Sequence, residues 1–253
     1  MKWHKYENQK RYNDMIKKGL TNRYEAHGGD SFIVQYTNND FIHNLFEKVN
    51  NVSPANVLVI GTGTGADACI LDNMGYNVTA IDIIDEAINQ AKANAKSINC
   101  NAKFMQDDIL KPKHKYKKYD IIFSSSCLQS IVTDKDRAAY YDFVIKHLKE
   151  KGKHIITSAG YSPNKNYTND IRDNDTGIVY SPVPENVELA DMKIIDGKPY
   201  APSRRHYTMV QFHEELLRYG FEVEFDGSEG VDEWGSLVVI CLINRWLFPR
   251  TLS

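Results

Sequence analysis

Apolar runs and helical spacings alternate along the middle of the chain. After Pro54, the run Asn56-Val-Leu-Val-Ile60 is short, β-branched and unbroken, which predicts a strand buried on both faces of a parallel sheet. A glycine-rich turn and a helix follow it. Further strands are predicted at 77–82, 102–106, 119–124 and 153–158, with helices over 85–98 and 134–149. Such alternation builds right-handed βαβ units on one doubly wound sheet. Beyond residue 208 the pattern predicts a helix over 209–219, ended by Gly220, and strands at 221–226 and 236–243. No helix separates these last two strands, so they pair antiparallel.

Two stretches lack this regularity. Residues 1–40 mix Trp3, Tyr6, Tyr12, Tyr24 and Tyr36 with charges and the Gly28-Gly29 pair, and are expected to form irregular helix and loop, as a lid. A helix at about 38–50 follows, carrying Phe41, Ile42, Leu45, Phe46 and Val49 at helical spacing. From Gly160 to Tyr207, Pro, Asn, Asp and Gly dominate, and a structureless connection of that length is more often functional than filler. The expected organisation is one domain: an N-terminal segment over 1–50, a core over 51–159, an insertion over 160–208, and a closing helix and strand pair over 209–253.

The composition narrows the function classes. With 253 residues, 42% of them apolar and 25% charged, the chain can bury a sizeable core. Its 31 basic and 33 acidic residues leave a formal charge of −2, which disfavours nucleic acid as a partner. No apolar run is long enough for a membrane helix, and the start MKWHKYENQKRY lacks the apolar core of a signal peptide, so a cytoplasmic location is expected. Cys69, Cys100, Cys127 and Cys241 form no Cys-x-x-Cys pair, and no metal site is expected. The run Lys111-Pro-Lys-His-Lys-Tyr-Lys-Lys118 lies between two strands and is expected to be a solvated loop.

The chemistry starts at the first strand. Val57-Leu-Val-Ile-Gly61-Thr-Gly63-Thr-Gly65-Ala-Asp67 sets three glycines at alternate positions between a strand and a helix, where the backbone turns sharply and a ligand approaches a helix N-terminus. Gly61, Gly63 and Ala66 also satisfy the dinucleotide fingerprint, so the turn alone is ambiguous. Asp82, ending the second strand, can accept from both ribose hydroxyls of an adenosine, which does not settle the matter. The third strand separates the two cases. Phe104-Met-Gln-Asp107-Asp108-Ile109 puts a carboxylate and an apolar residue just past its end, and Asp108 and Ile109 suit an adenine ring.

On these motifs the chain resembles the class I S-adenosylmethionine-dependent methyltransferases. The matching stretches are VLVIGTGTGAD, Asp82, QDDI, YDIIFSSS and LKEKGKHIITSAG, covering roughly residues 50–160, and the likeness resumes over 209–243. The resemblance implies an α/β, Rossmann-like sheet of seven strands, mostly parallel with an antiparallel closing strand and helices on both faces. It implies S-adenosylmethionine as cofactor and S-adenosylhomocysteine as product. Gly61, Gly63 and Gly65 would border the methionine moiety and ribose, Asp82 would bind the ribose hydroxyls, and Ile83 would cover one adenine face. Asp108 would accept from the adenine amine, and Ser124 would lie near the sulfonium. Asp67 could be the acidic residue often found at the end of the glycine turn.

The acceptor is expected to be a small polar metabolite. Amide and nucleobase amino methyltransferases of this fold carry Asn/Asp-Pro-Pro-aromatic after the fourth strand, whereas this chain has Ser124-Ser-Ser-Cys-Leu-Gln129. That leaves hydroxyls, carboxylates and simple amines, with O-methylation of a sugar or phosphorylated compound ahead. Arg204-Arg205-His206-Tyr207 concentrates two cations, an imidazole and a phenol, so Arg204, Arg205 and Tyr207 are expected to bind the acceptor and His206 to take its proton. His27, beside Gly28, is a second candidate base, and Tyr24 a second acceptor contact from the N-terminal segment. Cys127 is expected to be a buried, inactive thiol. The alternatives are a nicotinamide-dependent oxidoreductase using Gly61 and Asp82, and a non-catalytic protein that binds S-adenosylmethionine. Oligomeric state is not legible.

Overall fold

The computed structural model describes residues 1–49, 55–227 and 236–244. The chain opens with helices α1 (Trp3–Lys17), α2 (Phe32–Thr37) and α3 (Asp40–Glu47), with a short 3-10 helix at Arg23–His27. The core follows as β1 (Asn56–Ile60), α4 (Ala66–Asn73), β2 (Asn77–Asp82), α5 (Asp85–Ser97), β3 (Lys103–Gln106), β4 (Tyr119–Ser125), α6 (Asp134–His147) and β5 (Leu148–Ala159). Four short strands come next, β6 (Ile171–Arg172), β7 (Ile178–Pro182), β8 (Lys193–Ile195) and β9 (Lys198–Arg205). The described chain closes with α7 (Met209–Arg218), β10 (Phe221–Gly227) and β11 (Ser236–Ile243).

The main sheet has seven strands in the order β10-β11-β5-β4-β1-β2-β3. β1 to β5 pair in parallel, while β11 runs antiparallel to both β5 and β10. Parallel strands need both faces covered. Val57, Val59, Ile121 and Phe123 bury against α2 to α5, whereas Leu58, Ile60, Ile122 and Ile156 bury against α6 and α7. The strand order reverses between β1 and β4, and the crevice beyond their carboxyl ends is where an open sheet of this kind receives a ligand.

The two irregular stretches turn out to be ordered. α1 is a regular helix of 15 residues, yet only Tyr12 and Met15 on it are buried. It splits its apolar contacts: Tyr12 and Met15 pack on Ile84 and Ala87 at α5, while Trp3 and Tyr6 pack on Val183, Leu189 and Ala201. A helix that serves two small patches shows no apolar stripe, and this defeats a periodicity search. The segment from 160 to 207 is likewise not structureless. It forms a second, antiparallel sheet in the order β6-β7-β9-β8. Its β8–β9 hairpin turns on Asp196-Gly197, both at positive φ (+49° and +75°), the form that favours Asp-Gly.

Candidate active site

A cavity of about 640 Å³ opens beyond the carboxyl ends of β1, β2 and β4, a size suited to a nucleoside-like ligand and a neighbour. Gly61, Gly63, Asp82, Ile83, Asp108 and Ile109 line it, with Asp67 and Cys127 between them. The glycine turn is shaped by its neighbours as well as by ligand access. A Cβ on Gly61, at φ +75°, would stand 2.5 Å from Cys127 Cβ, and one on Gly63 would meet the Tyr12 hydroxyl at 2.9 Å. Gly65 does not line the cavity; it lies behind the turn, where a Cβ would press on Ala91 and Phe104. Its task is close packing of α4 on α5 and β3, not contact with a ligand.

Asp82 fastens this turn. Its Oδ2 accepts from Gly63 N–H at 2.9 Å and its Oδ1 from Ile84 N–H at 3.0 Å. Burial raises its carboxyl above the usual range, opposed by those two amides and by Arg23. Each oxygen keeps a further lone pair for a ligand hydroxyl. The Thr62 hydroxyl, also on the cavity wall, is buried without a hydrogen-bond partner among the described residues.

The paired aspartates after β3 divide their work. Asp107 accepts from the Tyr116 hydroxyl at 2.7 Å, from His114 Nδ1 at 3.0 Å and from the amides of Lys113 and His114. The basic run 111–118 is thus clasped to the sheet around a buried carboxylate rather than being wholly solvated. Asp108 turns to the cavity, its carboxylate engaged among the described residues only through Oδ1 by Leu110 N–H at 3.0 Å.

At the end of β4 the strand alternation decides which serine is presented. Ser124 shares the parity of Ile122 and lies wholly buried on the side covered by α6, away from the cavity. Ser125, on the opposite face, lines the cavity and donates to Asp67 Oδ2. The expectation for Ser124 is therefore corrected by one residue. Asp67 is raised above the carboxylate range by burial, partly offset by Ser125. Burial also pushes the Cys127 thiol up to about 12, so it is no nucleophile.

The cluster Arg204 to Tyr207 is split. Only Arg204 lines the cavity. Arg205, the next residue of β9 and so on its opposite face, is buried and bonds Asp134 at 2.7 Å and the Thr176 carbonyl at 2.9 Å. Tyr207 donates to Glu215 Oε2 at 2.9 Å, within a buried group that also holds Arg137 and Tyr141. His206 is enclosed beside Tyr167, its Nδ1 3.0 Å from that hydroxyl and its Nε2 unpaired among the described residues. Burial, then Lys165, Arg204 and Arg172, lower its imidazole to about 3. None of these three side chains reaches the cavity, because a β-strand sends alternate residues to opposite faces and the chain then turns into the α6–α7 interface.

The N-terminal segment supplies what the cluster does not. His4, Glu7 and Arg11 of α1, with Arg23 and Tyr24, wall the cavity opposite the glycine turn. Tyr24, expected to contact the acceptor, lines this wall; the His27 side chain lies outside the described residues. Burial, followed by Lys2, lowers the His4 imidazole, with Asp108 and Asp136 acting the other way. Arg23 bonds Asn8 at 3.0 Å and Tyr24 at 3.1 Å, without a carboxylate partner among the described residues. Histidine, glutamate and arginine at i, i+3 and i+7 on one helix face were the available signal, masked by the polarity of that whole helix.

Comparison with known proteins agrees with this geometry. A family model described as a methyltransferase domain matches residues 57–152. The chain is 31% identical over 169 residues to the release factor glutamine methyltransferase of Bacillus subtilis, covering 60% of this chain and 57% of that protein. It is 32% identical over 114 residues to a ubiquinone biosynthesis O-methyltransferase of Rickettsia conorii, covering 45% and 38%. The chain thus spans about half the length of these curated relatives or less. An S-adenosylmethionine-dependent methyltransferase from Clostridium acetobutylicum superposes with a TM-score of 0.62 at 18% identity, covering 92% of this chain and 99% of that one. The CcbJ methyltransferase of Streptomyces caelestis gives 0.63 at 12%, covering 81% and 90%.

Proposed function

We propose that this chain, whose residues 57–152 match a methyltransferase-domain model, is a class I S-adenosylmethionine-dependent methyltransferase that methylates an oxygen, or a simple amine, of a small polar acceptor held against α1. The observation that carries this reading is the continuity of one cavity from Asp82 and Asp108 to His4 and Arg204. An adenosyl group and an acceptor can share it.

The residues present fit the cofactor. Asp82, whose oxygens each retain a lone pair, would hold the ribose hydroxyls; Asp108 would accept from the adenine amine, with Ile83 and Ile109 against the ring faces. Arg23, a cation without an ion pair among the described residues, would meet the methionine carboxylate. When bound, the cofactor supplies an electrophilic methyl on a positively charged sulfur. The protein's share is positioning, and removal of a proton where the acceptor is a hydroxyl. His4 would take that proton, since it lines the cavity and burial lowers its imidazole below the ordinary range. Ser125, Ser126 and Gln129 present hydroxyl, carbonyl and amide groups at the end of β4.

The Bacillus subtilis relative is named for glutamine, but Ser124-Ser125-Ser126-Cys127 stands where amide methylation uses Asn/Asp-Pro-Pro-aromatic, which favours a hydroxyl or carboxylate acceptor. Calorimetry tests the reading: the adenosyl compounds should bind. Affinity for a nicotinamide dinucleotide with none for S-adenosylhomocysteine would overturn it.

A further inference from the structure

Glu7 on α1 is gripped by two arginines that are far apart in the chain. Arg11 Nη2 lies 2.6 Å from its Oε1, and Arg204 Nη2 lies 3.2 Å from Oε2 and 3.4 Å from Oε1. Trp3 Nε1 adds a neutral donor at 3.1 Å. All three charged groups line the cavity, and two guanidiniums on one carboxylate leave a net positive charge there.

We propose that Arg11 and Arg204 form a clamp for an oxyanion of the methyl acceptor, a carboxylate or a phosphate, for which Glu7 is the built-in stand-in. The clamp rests on the methyltransferase reading above. Each arginine meets Glu7 through Nη2 alone, and Nε and Nη1 of both have no hydrogen-bond partner among the described residues. Each Nη2 keeps a second hydrogen, which together with Nε or Nη1 leaves one edge able to bind a planar or tetrahedral oxyanion through two parallel bonds. The Arg11 guanidinium is held below its ordinary range by burial and by Arg204 and Arg23, with Glu7 opposing, so a second anion would relieve a repulsion already present.

The other carboxylates of the wall do not serve this need. Asp67 is engaged with Ser125, Asp82 with the glycine turn, and Asp107 with the 113–116 loop; Asp108 lies at the adenine end, and Asp30 on the loop after Gly29. Nor is the pair of arginines needed to fasten α1 to the second sheet. Ala190 N–H, from the β7–β8 connection, already donates to the Met1 carbonyl at 2.9 Å, Trp3 and Tyr6 pack on Val183, Leu189 and Ala201, and Lys2 ties the same end of the helix to Asp136 of α6. One arginine on Glu7 would complete that joint. The second leaves the charge unbalanced beside the place where an acceptor must lie.

The test is calorimetry on the full chain, with malonate and inorganic phosphate as probes, in the presence and absence of S-adenosylhomocysteine. The wild type should bind at least one probe, and Arg11→Met and Arg204→Met should each weaken it about tenfold or more, while S-adenosylhomocysteine affinity stays put as evidence of an intact fold. Arg204→Lys keeps the charge but not the fork and should recover only part of the loss. Glu7→Gln, which removes the competing carboxylate, should tighten binding severalfold. Preference for malonate marks a carboxylate acceptor, and preference for phosphate a phosphorylated one. Equal probe affinity in wild type and Arg204→Met, or no binding of either probe in wild type and Glu7→Gln alike, overturns the clamp. Loss of S-adenosylhomocysteine binding by the wild type would instead strike the methyltransferase reading, leaving the probe titration to judge the clamp by itself.

Discussion

The Asp82 carboxylate accepts the Gly63 amide at 2.9 Å, so the residue expected to bind ribose is also the clasp of the glycine turn. If Asp82 holds ribose as proposed, ligand affinity and local folding are coupled at one side chain.

Asp82→Ala should lose about 2–4 kcal/mol of S-adenosylhomocysteine affinity through unmade charge-assisted hydrogen bonds. It should also lose about 1–3 kcal/mol of stability, because the amides of Gly63 and Ile84 are left without an acceptor. Calorimetry and urea unfolding on the same preparations separate the two. An unchanged dissociation constant in the folded variant would remove Asp82 from the binding site.

Asp107 gives the fold an acid limit. Burial pushes its carboxyl up, but donors from Tyr116, Lys113 and His114 outweigh this and hold it down to about 2. A folded-state value below the unfolded one means the stabilisation is complete above about pH 4 and is lost as pH falls through about 2, roughly 2 kcal/mol in all. Asp107→Asn should flatten the dependence of unfolding free energy on pH between about 4 and 2. An identical slope in wild type and variant would place the acid sensitivity elsewhere.

The core of the fold was legible because its strands are apolar on both faces and its turns carry glycine or an acid at fixed offsets. β2 (Asn77–Asp82) and β11 (Ser236–Ile243) fall where periodicity predicts, and the antiparallel ending follows from the missing helix alone. The second sheet escaped because Pro182, Pro199 and Pro202 interrupt its alternation, although Asp196-Gly197 carried a hairpin signal that could have been used. The acceptor end was hidden for a different reason. Neighbours in sequence such as Arg204 and Arg205 face opposite ways in a strand, and His4, Glu7 and Arg11 reach the cavity only through tertiary packing of a polar helix. Local pattern carries no information on either point.

Tyr207 and Arg205 belong to a buried ionic group, and their predicted phenotype is structural. Glu215 accepts from Arg137, from Tyr141 at 2.8 Å and from Tyr207 at 2.9 Å, and both partners of the ion pair are almost wholly enclosed. Glu215→Ala would strand the buried Arg137 charge and should cost about 3–5 kcal/mol. The double change Glu215→Leu with Arg137→Met should cost clearly less, because no buried charge is then left unpaired. Urea unfolding of the three proteins decides, and a double variant as unstable as the single one would contradict the account.

His4 carries the sharpest kinetic expectation. It lines the cavity, and its imidazole faces Lys5 on its own helix, Lys2 just before that helix, Asp108 beyond β3 and Asp136 on α6. Burial is the largest influence and lowers its value below 6.5, the two lysines act with it, and the two aspartates against it. A base must be unprotonated to act, so kcat/KM should be level near neutral pH and fall as pH drops through that lowered value. His4→Gln should reduce turnover about 10²–10⁴-fold while S-adenosylhomocysteine affinity is nearly unchanged, and the acid limb should vanish from its pH profile. The split matters, since a merely structural histidine would change both constants or neither. If the acid limb survives intact in His4→Gln, the proton goes to another group, and an acceptor that needs no base, such as a carboxylate, becomes the reading to pursue.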